Sequence, residues 1–220
     1  MKRHVLVPVV AVATVGLLLT GCSSGDAEPD DDIAGVDTSE PADADEDEPA
    51  DDDEQSGDDE PDDGIDRPEI ELPEDLENVF EPVDTTVPDE RAVLADQERF
   101  VNAVDEAITS GELDRPALQF YADGEAYLTA VDYVTSFHAD GYTISGGVRY
   151  YDRSVTLRED GVATTSYCID YRDSFMVDTS SDEKHALDDR QGYGTSRLER
   201  NDDGVWQTVS ESVSVADGEC

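Results

Sequence analysis

Lysine is almost missing from this chain. Lys2 and Lys184 are the only two, and 14 basic residues face 57 acidic ones, giving a formal net charge of −43. A surface of that sign repels phosphate backbones and anionic headgroups, which excludes nucleic acid as a partner. Histidine is equally scarce, at His4, His138 and His185. There is no G-x-S-x-G, no H-E-x-x-H and no glycine-rich loop opening a helix after a strand, so the common hydrolase, zinc-protease and nucleotide signatures are all missing. No C-x-x-C exists among Cys22, Cys168 and Cys220. Nothing here calls for a cofactor. Long apolar runs are missing too. Val5 to Thr20 is uncharged and mostly apolar, but Pro8 and Gly16 interrupt it, and it falls short of the roughly 20 residues a spanning helix needs.

What is present at the N-terminus is an export signal. Lys2 and Arg3 form a basic start, and the apolar stretch ends in Leu19-Thr20-Gly21-Cys22. That run resembles the lipobox of bacterial lipoprotein signal peptides. The resemblance implies cleavage before Cys22 and a diacylglycerol on its thiol, with fatty acyl chains such as palmitate. Residues 1–21 then form the signal peptide. The mature protein is expected to be lipid-anchored on the extracytoplasmic face of the cell membrane, because two acyl chains hold where one only visits.

The stretch from 22 to 87 has almost no branched apolar or aromatic residues, and it holds about half of all the acidic ones. Runs such as Asp43-Ala44-Asp45-Glu46-Asp47-Glu48-Pro49 bury too little apolar surface to offset the entropy of ordering. The segment reads as a disordered acidic linker. A neutral flexible chain of this length spans on the order of 45 Å, and self-repulsion lengthens it into a stalk. Asp43, Asp45, Asp47 and Glu54 match part of an EF-hand spacing. Glu48 stands where the loop needs glycine, however, and Pro49 follows, so no metal site is expected.

Composition changes at Pro88, and residues 88–220 suit one folded domain. Thr86-Val87-Pro88-Asp89 reads as a helix start with a hydroxyl cap. Val93, Phe100, Val101, Val104, Ala107 and Ile108 recur at helical spacing up to Gly111. A short second helix follows Arg115-Pro116. A third runs from the Asp123 cap to Gly141, with Tyr127, Ala130, Val134, Phe137 and His138 on one stripe. Period two then takes over: Tyr142, Ile144, Val148 and Tyr150, on to Val155 and Leu157, with a turn at Glu159-Asp160-Gly161. Thr165, Tyr167, Ile169 and Tyr171 return on one face, with Thr164, Ser166, Cys168 and Asp170 on the other. A polar loop is expected from about Asp173 to Gln191, then strands near Tyr193–Arg200 and Val205–Val215. Helices first and hairpins afterwards predict an α+β domain, with N-terminal helices packed on a curved antiparallel sheet.

Arg99-Phe100-Val101-Asn102-Ala103, Leu118 to Ala126, Thr164 to Asp170 around Cys168, and Asp202-Asp203-Gly204-Val205-Trp206-Gln207 together resemble actinobacterial lipoproteins with a nuclear-transport-factor-2-like cone fold. The resemblance covers about 88–220 and implies a helix-backed cone of sheet. Cone domains often pair through their sheets, so it also admits a homodimer. It assigns no catalytic residue.

With Cys22 lipidated, Cys168 and Cys220 remain as an even pair in an exported domain, where a disulfide is the expected state. The aromatic residues Phe100, Phe120, Tyr127, Phe137, Tyr142, Tyr167 and Trp206 are candidates for the lining of a concave pocket, or else simply core. His138 and Asp170 are the weak catalytic candidates. His138 is either a general base facing the cone or a last-turn histidine satisfied by the helix dipole and a core hydrogen bond. His185, among Asp182, Glu183 and Lys184, reads as solvated.

Three functions fit this pattern. The leading one is a non-enzymatic module, displayed on the stalk, that binds a small apolar ligand or an envelope protein. The others are a cyclase- or isomerase-like enzyme using His138, and a purely structural envelope protein.

Overall fold

The computed structural model describes residues 63–187 and 191–220. Cys22, the signal peptide and most of the acidic linker lie outside the described residues. Within them the order is β1 (Leu76–Phe80), α1 (Pro88–Ser110), α2 (Pro116–Tyr121), α3 (Gly124–Asp140), β2 (Tyr142–Leu157), β3 (Val162–Asp178), β4 (Lys184–Ala186), β5 (Gln191–Arg200) and β6 (Trp206–Val215). The sheet runs β1-β2-β3-β5-β6. β1 lies parallel to β2, and every other pairing is antiparallel. β3 is long enough to take two partners on one edge, with β5 along its first half and β4 along its second.

Helix boundaries follow local chemistry. Pro88 sits in the first turn of α1 with Asp89 and Glu90 beside it, where the positive end of the dipole favours acids. The expected cap at Thr86 is replaced. Val87 is the N-cap and uses no side chain, while Thr85 takes the Val87 N–H at 3.2 Å and donates its own hydroxyl to Glu90. Gly111 and Gly141 end α1 and α3 in the left-handed conformation. Asp123 caps α3 by accepting from the Gly124 N–H at 2.7 Å.

α1 packs across the sheet, and three apolar clusters hold it there. Phe100, Ala103, Ala107 and Ile108 meet α2 and α3. Val101 meets Val148, Tyr150, Tyr167 and Ile169 of the sheet. Val93 meets Ala163, Leu198 and Trp206. The β2–β3 pairing shifts register twice, with an extra residue on β3 opposite Gly147–Arg149 and one on β2 between Tyr151 and Ser154. Bulges of this kind bend a strand and increase its twist, which curves the sheet around the helices.

Two expectations are corrected. The folded part begins well before Pro88, because β1 and the chain ahead of it belong to the domain. Ile65 and Ile70 pack on the helical cluster. Arg67 reaches Asp63 at 2.7 Å and the buried Asp96 at 3.5 Å. The Glu71 N–H donates to Glu106 at 3.0 Å, and Arg115 donates to both Glu106 and Glu71. The acids and prolines that read as linker are here tied down by arginines and by strand pairing, so helices do not precede the whole sheet. The polar loop is also shorter than expected, since β3 runs on to Asp178 and Lys184–Ala186 pairs with Phe175–Val177.

Candidate functional site

Between α1, α3 and the concave side of the sheet lies a cavity of about 570 Å³, with walls that are mostly apolar. α1 contributes Phe100, Val104 and Asp105, and α3 contributes Ala130, Tyr133 and Phe137. The strands add Ser145 and Tyr150 from β2, Tyr167 and Tyr171 from β3, and Glu211 from β6. Val213 and Val215 line it too while remaining 49% and 72% exposed, so the cavity meets solvent at the end of β6.

Its polar groups are unusual for such walls. Asp105 accepts a 2.7 Å hydrogen bond from Asn78 Nδ2 on β1, and the same amide group donates to Asn102 at 2.9 Å. Burial nonetheless pushes the Asp105 carboxyl up to about 6, against that hydrogen bond and with help from the negative charge of Glu211. Glu211 accepts from Tyr167 at 2.5 Å and from Ser196 at 3.3 Å, and its carboxyl is also raised by burial. Burial lifts the Tyr133 phenol to about 12 and raises those of Tyr150, Tyr167 and Tyr171, with the carboxylates adding to the effect. All four tyrosines are therefore protonated hydrogen-bond donors at neutral pH. The Ser145 side chain is buried, and its hydroxyl has no hydrogen-bond partner among the described residues. No Lys, Arg or His is among the described residues that line the cavity.

Of the expected pocket residues, the structure brings together Phe100, Phe137 and Tyr167. Trp206 instead belongs to the packed core beside Val93 and Leu198. Phe120 turns its ring against Tyr121 at 4.9 Å, and Tyr127 takes a hydrogen bond from Gln119. Tyr142 stands edge-on to His185, with ring centroids 6.1 Å apart. None of these four lines the cavity.

Neither catalytic candidate does so either. His138 Nε2 is hydrogen-bonded to the Ile108 carbonyl at 3.1 Å, which ties the end of α3 to that of α1. Asp170 lies buried under arginines, with Arg172 Nε at 2.9 Å and Arg149 at 3.6 Å. The Arg172 side chain, above all, holds the Asp170 carboxyl down at about 2. It is a paired structural acid on the face of β3 away from the cavity. The Cys168–Cys220 pair is joined as a disulfide.

The residues missed were Asp105, Glu211 and three of the tyrosines. Asp105 carried a signal, because it falls between Val101, Val104 and Ile108 on an otherwise apolar helix stripe. Glu211 carried a weaker one. A register shift on β6 near Val209 changes which parity faces inward, and beyond it Glu211, Val213 and Val215 alternate toward the cavity. An acid at the head of that alternation is the mark.

The domain so defined is α+β: three helices against a curved, open, mixed sheet. No family model and no curated protein matches the chain. Among solved structures it is similar to a ketosteroid isomerase-like protein from Erwinia carotovora atroseptica (12% identity, 59% of this chain and 97% of that one, TM-score 0.42). It is also similar to ActVI-ORFA from Streptomyces coelicolor (11%, 58% and 97%, 0.41) and to a protein of the NTF2-like family from Streptomyces avermitilis (14%, 59% and 99%, 0.41). These are likenesses of backbone outline, and the functional reading rests on the cavity itself.

Proposed function

We propose that this domain is a binding module that takes a small, largely apolar molecule into the cavity between α1, α3 and the sheet. The observation that carries the reading is the open cavity of about 570 Å³, within the range that encloses drug-sized ligands. In this proposal, lipid on Cys22 holds the module at the outer membrane face and the acidic linker lifts it off the surface. The Cys168–Cys220 disulfide supports an oxidising, extracytoplasmic setting.

Native mass spectrometry of the full-length protein, extracted from its own membranes, tests both parts. Binding predicts non-covalent mass of a few hundred daltons on the wild type. That mass is lost in Val213→Trp, which blocks the cavity at its exposed end. Anchoring predicts acyl mass confined to the peptide that starts at Cys22. A bare protein that also fails to bind added hydrophobic probes would refute the module.

One observation favours a second reading. A carboxyl titrating near 6 beside tyrosine hydroxyls suits a general base, so Asp105 makes a proton-transfer enzyme the runner-up. Chemical change of the bound molecule on incubation with wild type, absent with Asp105→Asn, would establish it.

A further inference from the structure

The acids buried from solvent among the described residues are each given an arginine. Asp96 has Arg67 and Arg99, Glu106 has Arg115, and Asp170 has Arg172 and Arg149. Asp105 and Glu211, half-buried at the cavity wall, differ from them, since neither forms an ion pair among the described residues. Their only hydrogen-bond donors there are neutral: Asn78 for Asp105, and Tyr167 and Ser196 for Glu211. Two carboxylates left in an apolar wall without a cation are costly, and no Lys, Arg or His is among the described residues of that wall. Around these groups stand the rings of Phe100, Phe137, Tyr133, Tyr150, Tyr167 and Tyr171. Aromatic faces attract a positive charge, and they do so more strongly when it is desolvated.

Resting on the binding-module reading, we propose that the ligand is an organic cation: a lipophilic amine whose ammonium group sits between Asp105 and Glu211 and whose apolar body lies against the aromatic wall. The ammonium N–H groups donate to the two carboxylates, and the aromatic faces take up the rest of its positive charge. Two carboxylates and one ammonium leave the site slightly negative, which suits amines and rejects carboxylic acids of the same shape. The net charge of −43 acts in the same direction at long range, concentrating cations near the domain and repelling anions.

The test uses a matched pair, 4-biphenylmethylamine and 4-biphenylmethanol, which differ in charge and hardly in shape. Each is titrated calorimetrically into the full-length protein held in phosphatidylcholine nanodiscs, with empty nanodiscs as the blank. High salt screens the linker's charges. The amine should bind about tenfold more tightly than the alcohol, the scale expected of one charge-assisted hydrogen bond and a desolvated cation on aromatic faces. Repeating the amine titration at about pH 6, where the Asp105 carboxyl is partly protonated, in buffers of different ionisation heat should show protons released as it ionises. The alcohol should release none.

Asp105→Asn and Glu211→Gln, each checked for folding by circular dichroism, should reduce the preference, and the double variant should erase it. Proton release is read on the wild type, so the proposal stays open to refutation even if a variant misfolds. Alcohol binding equal to or tighter than amine binding would overturn the charge assignment and leave the binding module standing. Failure of both probes would overturn both. An amine preference that survives in the double variant would place the cation outside the cavity and overturn the proposal.

Discussion

Replacing Asp105 with asparagine should make the empty protein more stable, and only at pH values where the aspartate is ionised. The Asp105 carboxyl is raised from 3.8 to about 6 in the folded domain, chiefly by burial. The groups facing it are Asn78 from β1, Tyr133 from α3, Tyr150 from β2, Tyr171 from β3 and Glu211 from β6. None is cationic. Between pH 3.8 and about 6 the folded state holds a proton that the unfolded chain has lost, so stability falls as pH rises through that window. Below the window both states are protonated and there is no penalty. Above it the penalty is complete, and at 1.36 kcal/mol per pH unit it reaches about 3 kcal/mol, less whatever water in the cavity recovers. Asparagine removes the charge, keeps the volume and still offers Asn78 a carbonyl oxygen. Urea unfolding followed by Trp206 fluorescence, from about pH 4 to about pH 8, measures the difference between variant and wild type. The many other carboxylates largely cancel in that difference. The variant should match wild type at the acid end and gain about 2–3 kcal/mol at the alkaline end. A difference that does not change with pH, or a variant less stable at about pH 8, would refute the claim that this half-buried carboxylate lacks a counter-charge.

The remaining predictions concern what holds the cavity's walls. Cys168→Ser with Cys220→Ser opens a link across 52 residues and should cost up to about 4 kcal/mol on the chain-entropy account, measured by urea unfolding. Probe binding should survive, because Cys168 lies on the opposite face of β3 from Tyr167 and Ile169. Asp96→Ala leaves the Trp206 N–H and the Arg67 guanidinium without their buried acceptor. It should destabilise by about 3–5 kcal/mol and expose the 63–71 segment to proteases, and a loss below about 1 kcal/mol would argue against the network. Gly194→Ala places a Cβ where the Tyr167 ring lies. It should push that ring into the cavity, break its bond to Glu211 and weaken probe binding more than it lowers stability. A variant binding as tightly as wild type would refute this use of the glycine.

Much of the fold was legible because its punctuation is local. Pro88, Gly111, Asp123 and Gly141 set helix ends through backbone constraints that act within a turn, and the alternation through β2 and β3 reflects one buried face. β1 was not legible. Leu76-Glu77-Asn78-Val79-Phe80 has no strong strand pattern, and it becomes a strand only through parallel pairing with residues 146–150, some 70 positions away. The cavity was half legible for a related reason. Composition shows that aromatics are available, and burial then divides them: Trp206 and Phe120 go to the core, while Tyr133 and Tyr150 go to the cavity. On the strands, which side chains face the cavity depends on bulges in β3 and β6. These move the inward parity from Tyr167, Ile169 and Tyr171 to Ser174 and Met176 and bring Glu211 inward, and a two-residue period read straight along the chain passes over them. His138 and Asp170 attracted attention by residue type. The structure gives both of them partners, and a partnered group is the weaker candidate for chemistry.

That contrast is sharpest on α1. Asp105 and Glu106 are neighbours, so a helix turns them about 100° apart and presents them to different surroundings. Glu106, fully buried, receives Arg115 and the Glu71 N–H. Asp96, three turns earlier, receives Arg67, Arg99 and the Trp206 N–H. The helix therefore spends its basic partners on fixing the N-terminal strap and the last strand, and leaves its one cavity-facing acid with an amide. If unpaired acids in this chain were only the consequence of having few basic residues, the deficit should fall on exposed positions, where water solvates a carboxylate at little cost. Most of it does, on exposed acids such as Glu77, Glu125 and Asp132, but part of it falls on Asp105 and Glu211, half-buried at the cavity wall, where it costs more. A cost placed at a cavity wall is tolerable when the occupant removes it, and that is why the apo protein should gain stability from Asp105→Asn while the same substitution should weaken amine binding.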